Sequence, residues 1–484
     1  MTLSVRQPRP AAVEAPSLLE RLGERLHADG VVCCQWKGHW KRTRWETGAG
    51  DVDLLVDPSW AERLDSALDR LGFKLALPPA EATVPGTASW FGYDAGRGAL
   101  VHVHVHSRLV LGYYWTTTYR LPVEHAVLET ATRKLPFSVP APELEFILFV
   151  LRAVQRGGLR DLITPGPPAW LLDAQPEYAY LVARVDRRRL QARLAELLPS
   201  VDLACFDSCA RAVRPEASRW QRLSRRLVLH ERLRPYACRP PIALLARRIA
   251  RRLGVLPRAR RMRLARGGTL FALVGGDGAG KTTSVAELRG WLSGPFDVMT
   301  AHLGRPPRSL TTLAVGGVLK LRRALGRWLG ADRGAGPAGI LELVRLVCTA
   351  RDRYLLFVKA RRFAAAGGVA LCERYPIPQN RLLVGPEIAR LLGHDQNTPL
   401  ARFLMRAEQD YYRRITPPDV VMVLMVDPEL AVRRKTTEPP DYVRARARIV
   451  WETDWSGTGA HLVDAGQPLA SVVAELKTLI WSEL

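Results

Sequence analysis

Residues 269–292 read TLFALVGGDGAGKTTSVAELRGWL, and residue type changes twice along this run. Thr269–Val274 is short, apolar and β-prone, as a buried parallel strand should be. Gly275 is followed, after four intervening residues, by Gly280-Lys281-Thr282, the GxxxxGK[ST] spacing of a phosphate-binding loop. From Ser284 the spacing becomes helical, with Val285, Leu288 and Leu292 on one face. Strand, glycine loop and helix start together predict a nucleotide cradle made of Gly275, Gly278, Gly280, Lys281, Thr282 and Thr283. Glycines let backbone N–H groups turn inward, and the helix N-terminus adds partial positive charge. Lys281 is expected to reach the β- and γ-phosphates of ATP, and the Thr282 hydroxyl to ligate Mg²⁺.

The rest of the chain sets the bounds. At 484 residues, two or three domains are expected. The hydrophobic share of 47% is that of a globular protein and argues against wholesale disorder. Charge is the outlier, with 71 Lys+Arg against 47 Asp+Glu and a net +24. Residues 211–266 alone carry 18 Arg and 2 Glu. This block leaves nucleic acid and an anionic membrane surface open as partners, although no base-reading motif accompanies it. A high-GC codon bias toward Arg accounts for it equally well, since only nine residues are Lys. Seven cysteines without regular spacing read as reduced thiols. The N-terminus lacks an apolar signal segment and no run of 18 apolar residues occurs, so a cytoplasmic protein is expected.

Two later stretches complete the C-terminal reading. GGVALCERYPIP (367–378) is a buried strand ending in Glu373-Arg374-Tyr375, and PDVVMVLMVDPELAVRRK (418–435) is a strand leading into a basic helix. Together with DGAGKTT (277–283), Ala350-Arg351-Asp352-Arg353 and HLVDAGQPLASVVAELKTLI (461–480), they resemble thymidylate kinase and its relatives among P-loop nucleoside monophosphate kinases. The resemblance spans about 267–484 and implies a P-loop NTPase with a parallel sheet flanked by helices. It also implies ATP-dependent phosphoryl transfer to a small acceptor, with Asp277, Arg353 and Arg374 facing that acceptor and Glu373 beside Mg²⁺. Some relatives carry an Arg directly after the loop Asp, where this chain has Gly278. Transition-state charge is then expected from the lid stretch RRKTTEPPDYVRARAR (433–448), which holds Arg433, Arg434, Arg444, Arg446 and Arg448. Arg444 is named with Lys281, Glu373 and Arg374 among the catalytic groups, the choice among the lid arginines staying open. PIPQNRLLVGPEIARLLG follows Tyr375 where thymidylate kinases shape the thymine pocket, so dTMP is expected to be a poor acceptor. DGAGKTT with AHLGRP (301–306) looks more like thymidylate-kinase-like proteins encoded with bacterial surface-polysaccharide genes, which keeps a nucleotide or sugar-like acceptor open.

The front half has its own pattern. VVCCQWKGHW (31–40) reads as a strand into a turn, and AGDVDLLVD (49–57) as a second strand with Asp51 and Asp53 on one face. Paired carboxylates beside a glycine suit a hard cation. An amphipathic helix, PSWAERLDSALDRLGF (58–73), follows. This order resembles the nucleotidyltransferase fold over about residues 15–230 and implies an α+β domain with a helical extension. The family's third carboxylate falls on ALVHVHVHSRL (99–109), at His104. His102, His104 and His106 alternate with valine and share one face, so Asp51, Asp53 and His104 are expected to hold a metal such as Zn²⁺ or Mn²⁺. Without a bridging carboxylate, nucleotidyl transfer itself is not expected.

The expected α/β organisation is a nucleotidyltransferase-like domain at 1–138, a helical extension at 139–235, a basic linker at 236–266 and the kinase-like domain at 267–484. In the linker, Ile242, Leu245, Ile249, Leu253 and Leu256 form an apolar stripe opposite Arg247, Arg248, Arg251 and Arg252. That stripe is expected to pack on the kinase-like domain, with peripheral membrane contact as the alternative. A homodimer is also open. The rival functional classes are a nucleotide-binding regulatory protein without a kinase product and a polyanion-binding protein.

Overall fold

The computed structural model describes residues 16–112, 118–156, 166–238, 261–328, 339–380, 384–392 and 398–484, and positions 242, 245, 246, 249, 250 and 253. The chain is α/β and divides into two units, Met1–Arg260 and Arg261–Leu484.

In the first unit, strands β1 (Cys33–Lys37), β2 (Asp51–Val56), β3 (Lys74–Leu77), β4 (Thr87–Asp94) and β5 (Ala99–His106) form a mixed sheet in the order β1-β2-β5-β4-β3. Only β2 and β5 run parallel, and their register sets Asp51 opposite His102 and Asp53 opposite His104. The period of two divides each strand cleanly. Val52, Leu54 and Val56 join Val101, Val103 and Val105 in one core, under the helices Leu18–Ala28 and Ala61–Arg70. The first of these helices starts on a capping box between Ser17 and Glu20. It buries Leu18, Leu19, Leu22 and Leu26, each such side chain stabilising by about 1.5–3 kcal/mol. The acidic and histidine side chains are thereby left on the opposite face.

A second core surrounds the helix Pro142–Arg156, which is buried nearly all round, and helices 169–182, 187–197, 203–212 and 219–232 share it. A small antiparallel sheet of β6 (Leu109–Leu111), β7 (Thr118–Leu121) and β8 (Ala237–Cys238) pairs Thr118 with Cys238. Ordered pairing thus reaches past 235 into the stretch read as linker. Of the basic amphipathic segment, Leu256, Arg247, Arg248, Arg251 and Arg252 lie outside the described residues. Ile242, Ile249 and Leu253 are described and exposed, and Leu245 is half-buried.

In the second unit, after the short β9 (Arg263–Leu264), strands β10 (Leu270–Gly275), β11 (Val298–His302), β12 (Val369–Glu373), β13 (Val420–Met425) and β14 (His461–Asp464) form a sheet in the order β11-β12-β10-β13-β14. Every pair is parallel, so each connection crosses over through helix. Val285, Leu288 and Leu292 are buried where the helix Lys281–Leu292 meets β10, β11 and β12. Phe357, Ala360 and Ala364 of the helix Ile340–Ala365 pack with Leu270, Ala272 and Val274. The chain leaves β10 for β11 on one side and later adds β13 and β14 on the other. Such a reversal opens a crevice beyond the carboxyl ends of the strands. The glycine loop sits there. Among the described residues no helix is long and apolar enough to cross a membrane.

Candidate functional sites

At the end of β10, Gly280 takes a left-handed conformation (φ +80°) and caps the helix beginning at Lys281. The first backbone N–H groups of that helix, with Thr282 and Thr283 exposed on its first turn, therefore face the loop. Gly278 is also left-handed (φ +83°), and a Cβ there would lie 2.6 Å from the Ala431 carbonyl oxygen. A Cβ on Gly276 would lie 2.6 Å from Ala447 Cα. These glycines are required by the neighbouring helices. Gly278→Ala is accordingly expected to lower stability by about 1–3 kcal/mol and to weaken ATP binding. Denaturant unfolding and calorimetry check both; a neutral substitution would show that the loop has room there.

Lys281 is buried, and its Nζ donates to the carbonyls of Gly275 at 3.0 Å and Gly276 at 2.6 Å. Burial, with Arg374 nearby, pushes its ammonium down to about 8, against the pull of Asp277 and Glu373. Thr282 Oγ1 donates to Glu373 Oε2 at 2.8 Å, because register sets Glu373 at the end of β12 beside Leu273. A hydroxyl and a carboxylate held together beside the loop lysine are hard oxygen donors suited to Mg²⁺.

Asp277 receives two guanidiniums. Arg374 pairs with one carboxylate oxygen, and Arg446 Nε lies 2.6 Å from the other. Burial alone would raise the Asp277 carboxyl, but Arg374, Arg446 and Lys281 hold it below the ordinary range. Arg374 is the one non-glycine residue with positive φ (+52°) among those described, a conformation that costs about 1–2 kcal/mol. Arg353 is buried under the turn after β11, with Nε 2.6 Å from the Leu303 carbonyl and its guanidinium 5.1 Å from the Tyr412 ring centre. Arg444 does not reach the loop. It is held by Glu429 at 2.6 Å and Asp441 at 2.7 Å, so the lid arginine that the structure brings to the loop is Arg446. His302 was missed from sequence; it lies opposite Glu373 in the β11–β12 register.

In the first unit the cluster differs from the expected one. Asp51 pairs with His102 at 2.8 Å. Asp53 Oδ1 takes His106 Nε2 at 3.0 Å, His104 Nδ1 at 3.3 Å and Lys37 Nζ at 2.9 Å. Among the described residues the His/Cys/Asp/Glu group able to hold a metal is thus Asp53, His104 and His106, with ligand atoms all within 4.8 Å of one another; His106 takes the place given to Asp51. Alternation alone put His106 on the right face, but the position of its ring needed the tertiary structure. Burial pushes the His106 imidazole down to about 4, so it is neutral at pH 7. Asp53 is buried too, yet Lys37 and the two imidazoles keep its carboxyl well below the usual range. The three side chains line a cleft of about 750 Å³.

No protein-family model matches this chain, and no curated protein matches it.

Proposed function

We propose that the second unit is a P-loop phosphotransferase of the thymidylate-kinase-like class, moving the γ-phosphoryl group of ATP to a nucleotide or sugar-like acceptor with Mg²⁺ bound. The observation that carries this reading is the convergence at one strand end of the β10 glycine loop, buried Lys281, the Thr282–Glu373 pair and two arginines on Asp277. Phosphoryl transfer asks for positioned cations and little covalent chemistry, and this set supplies them. Gly275, Gly278, Gly280, Lys281, Thr282 and Thr283 hold the ATP phosphates, and Thr282 with Glu373 holds Mg²⁺. Asp277, Arg374 and Arg353 address the acceptor. The testing experiment is a screen of nucleoside monophosphates and sugars for ATP-dependent gain of a phosphoryl group, read by mass spectrometry. Consumption of ATP with no phosphorylated acceptor would favour a regulatory nucleotide switch.

dTMP is expected to perform poorly in that screen, because PIPQNRLLVGPEIARLLG replaces the thymine-pocket stretch. A kcat/KM for dTMP above roughly 10⁴ M⁻¹s⁻¹, the lower end of ordinary enzymes, would overturn this. For the first unit, a mixed sheet with Asp51 and Asp53 on β2 supports a nucleotidyltransferase-like fold. His104 stands opposite Asp53 where that chemistry needs a carboxylate, so no nucleotidyl transfer is assigned to it.

A further inference from the structure

We propose that Asp53, His104 and His106 form a mononuclear centre for a borderline divalent cation such as Zn²⁺, whose open coordination position faces the cleft and takes a phosphate-type oxyanion. Three observations carry this independently of the kinase reading. The first is convergence. Lys37 Nζ, His104 Nδ1 and His106 Nε2 all approach the same oxygen, Asp53 Oδ1, at 2.9, 3.3 and 3.0 Å. A carboxylate oxygen offers about two lone-pair directions, so three nitrogens exceed what hydrogen bonding asks of it.

The second is spacing and burial. Ligand atoms around tetrahedral Zn²⁺, with bonds of about 2.0–2.1 Å, stand about 3.3 Å apart. The two Asp53–histidine distances match that edge, and the third pair of atoms also falls within 4.8 Å. Asp53 and His106 are both buried, and Trp36 packs edge-on against the His106 ring at 5.3 Å, which fixes its direction. Two imidazoles and one carboxylate are a donor set suited to Zn²⁺ and not to Mg²⁺.

The third is the surroundings. Three protein ligands leave a fourth position, and the space they face is the cleft lined also by Lys37, Lys41, Arg44, Arg152 and Arg156. Arg152 pairs with Glu177, whereas Lys41, Arg44 and Arg156 pair with no carboxylate among the described residues. Lys41 stands over the Trp40 ring at 4.6 Å, and the cleft also holds Asp51, Asp173 and Glu177, so it is a divalent cation at the floor added to the wall cations that leaves positive charge to recognise an oxyanion. Lys37 supplies the positive charge at Asp53 when no ion is bound, so a metal must displace its ammonium. Asp51, engaged with His102, is not a ligand.

The test uses the untagged full chain, stripped by chelation and titrated calorimetrically with ZnCl₂ and, in parallel, with CoCl₂ followed by visible absorption. One Zn²⁺ site is expected, with a tetrahedral Co²⁺ spectrum. His104→Ala, His106→Ala and Asp53→Asn should each weaken binding by at least about 10–100-fold, the scale reached even by partners one shell out. Lys37→Met should tighten it, and Asp51→Asn should leave it unchanged. Circular dichroism of each variant checks folding. Should a ligand variant fail to fold, Zn²⁺ protection of the more exposed His104 of the wild type from acylation, located by peptide mapping, decides the question instead: protection supports the centre, and acylation unaffected by Zn²⁺ overturns it. Inorganic phosphate should shift the Co²⁺ band, less so in Lys41→Ala/Arg44→Ala. Absence of Zn²⁺ uptake at micromolar concentration, or uptake indifferent to Asp53→Asn and His106→Ala, overturns the centre. A phosphate-insensitive Co²⁺ band overturns the oxyanion half.

Discussion

Lys281→Ala is expected to lower ATP turnover by on the order of 10³-fold, about 4 kcal/mol of barrier, while leaving the fold intact. The side chain is buried, yet its only close partners among the described residues are the carbonyls of Gly275 and Gly276. No carboxylate forms an ion pair with it among the described residues, and burial pushes it down to about 8. Its charge is therefore poorly compensated in the ligand-free chain. The substitution deletes a buried charge together with two carbonyl contacts and opens no apolar core, so the melting temperature of the ligand-free chain should change little. The stabilisation conferred by Mg-ATP should disappear. A coupled turnover assay and thermal unfolding with and without nucleotide check both. Wild-type turnover in this variant would remove the phosphotransferase assignment.

Arg446→Ala should cost kcat on the order of 10³-fold, the range in which a single arginine acts on a transferring phosphoryl group, with a much smaller effect on KM for ATP. Its guanidinium is little exposed and rests on Asp277 at the loop. Arg444→Ala should stay within a few-fold of wild type, since that side chain lies outside against Glu429 and Asp441. Steady-state kinetics of the two variants side by side decide the matter. Equal losses, or a larger loss in Arg444→Ala, would place the catalytic arginine elsewhere in the lid.

The strand-forming runs were legible because burial on both faces demands unbroken apolar segments, as in β10, β12 and β13. The glycine loop was legible because its spacing is local. The choice between Arg444 and Arg446 was not. Two residues on a helix differ by about 200° in direction, so the choice depends on how the helix Pro440–Trp451 is rotated above the loop. The same holds for His106 against Asp51. Both lie on the faces that period two gives them, but which imidazole meets Asp53 depends on the β2–β5 register and on Trp36. The small β6-β7-β8 sheet was invisible for another reason: strands of two to four residues carry no periodicity.

At Gly276 and Gly278 the loop meets its neighbours backbone to backbone, at Ala447 and Ala431. A contact without intervening side chains works like a gauge block in a machine, because it has no rotamers through which to yield. Ala447 directly follows Arg446, so the loop sets the height at which the arginine is held against Asp277. The interval cannot be retuned by repacking, and a larger residue at Ala447, whose Cβ faces Gly276, shifts the arginine away from Asp277. Positions 431 and 447 thus govern the geometry of the loop although neither carries a reactive atom.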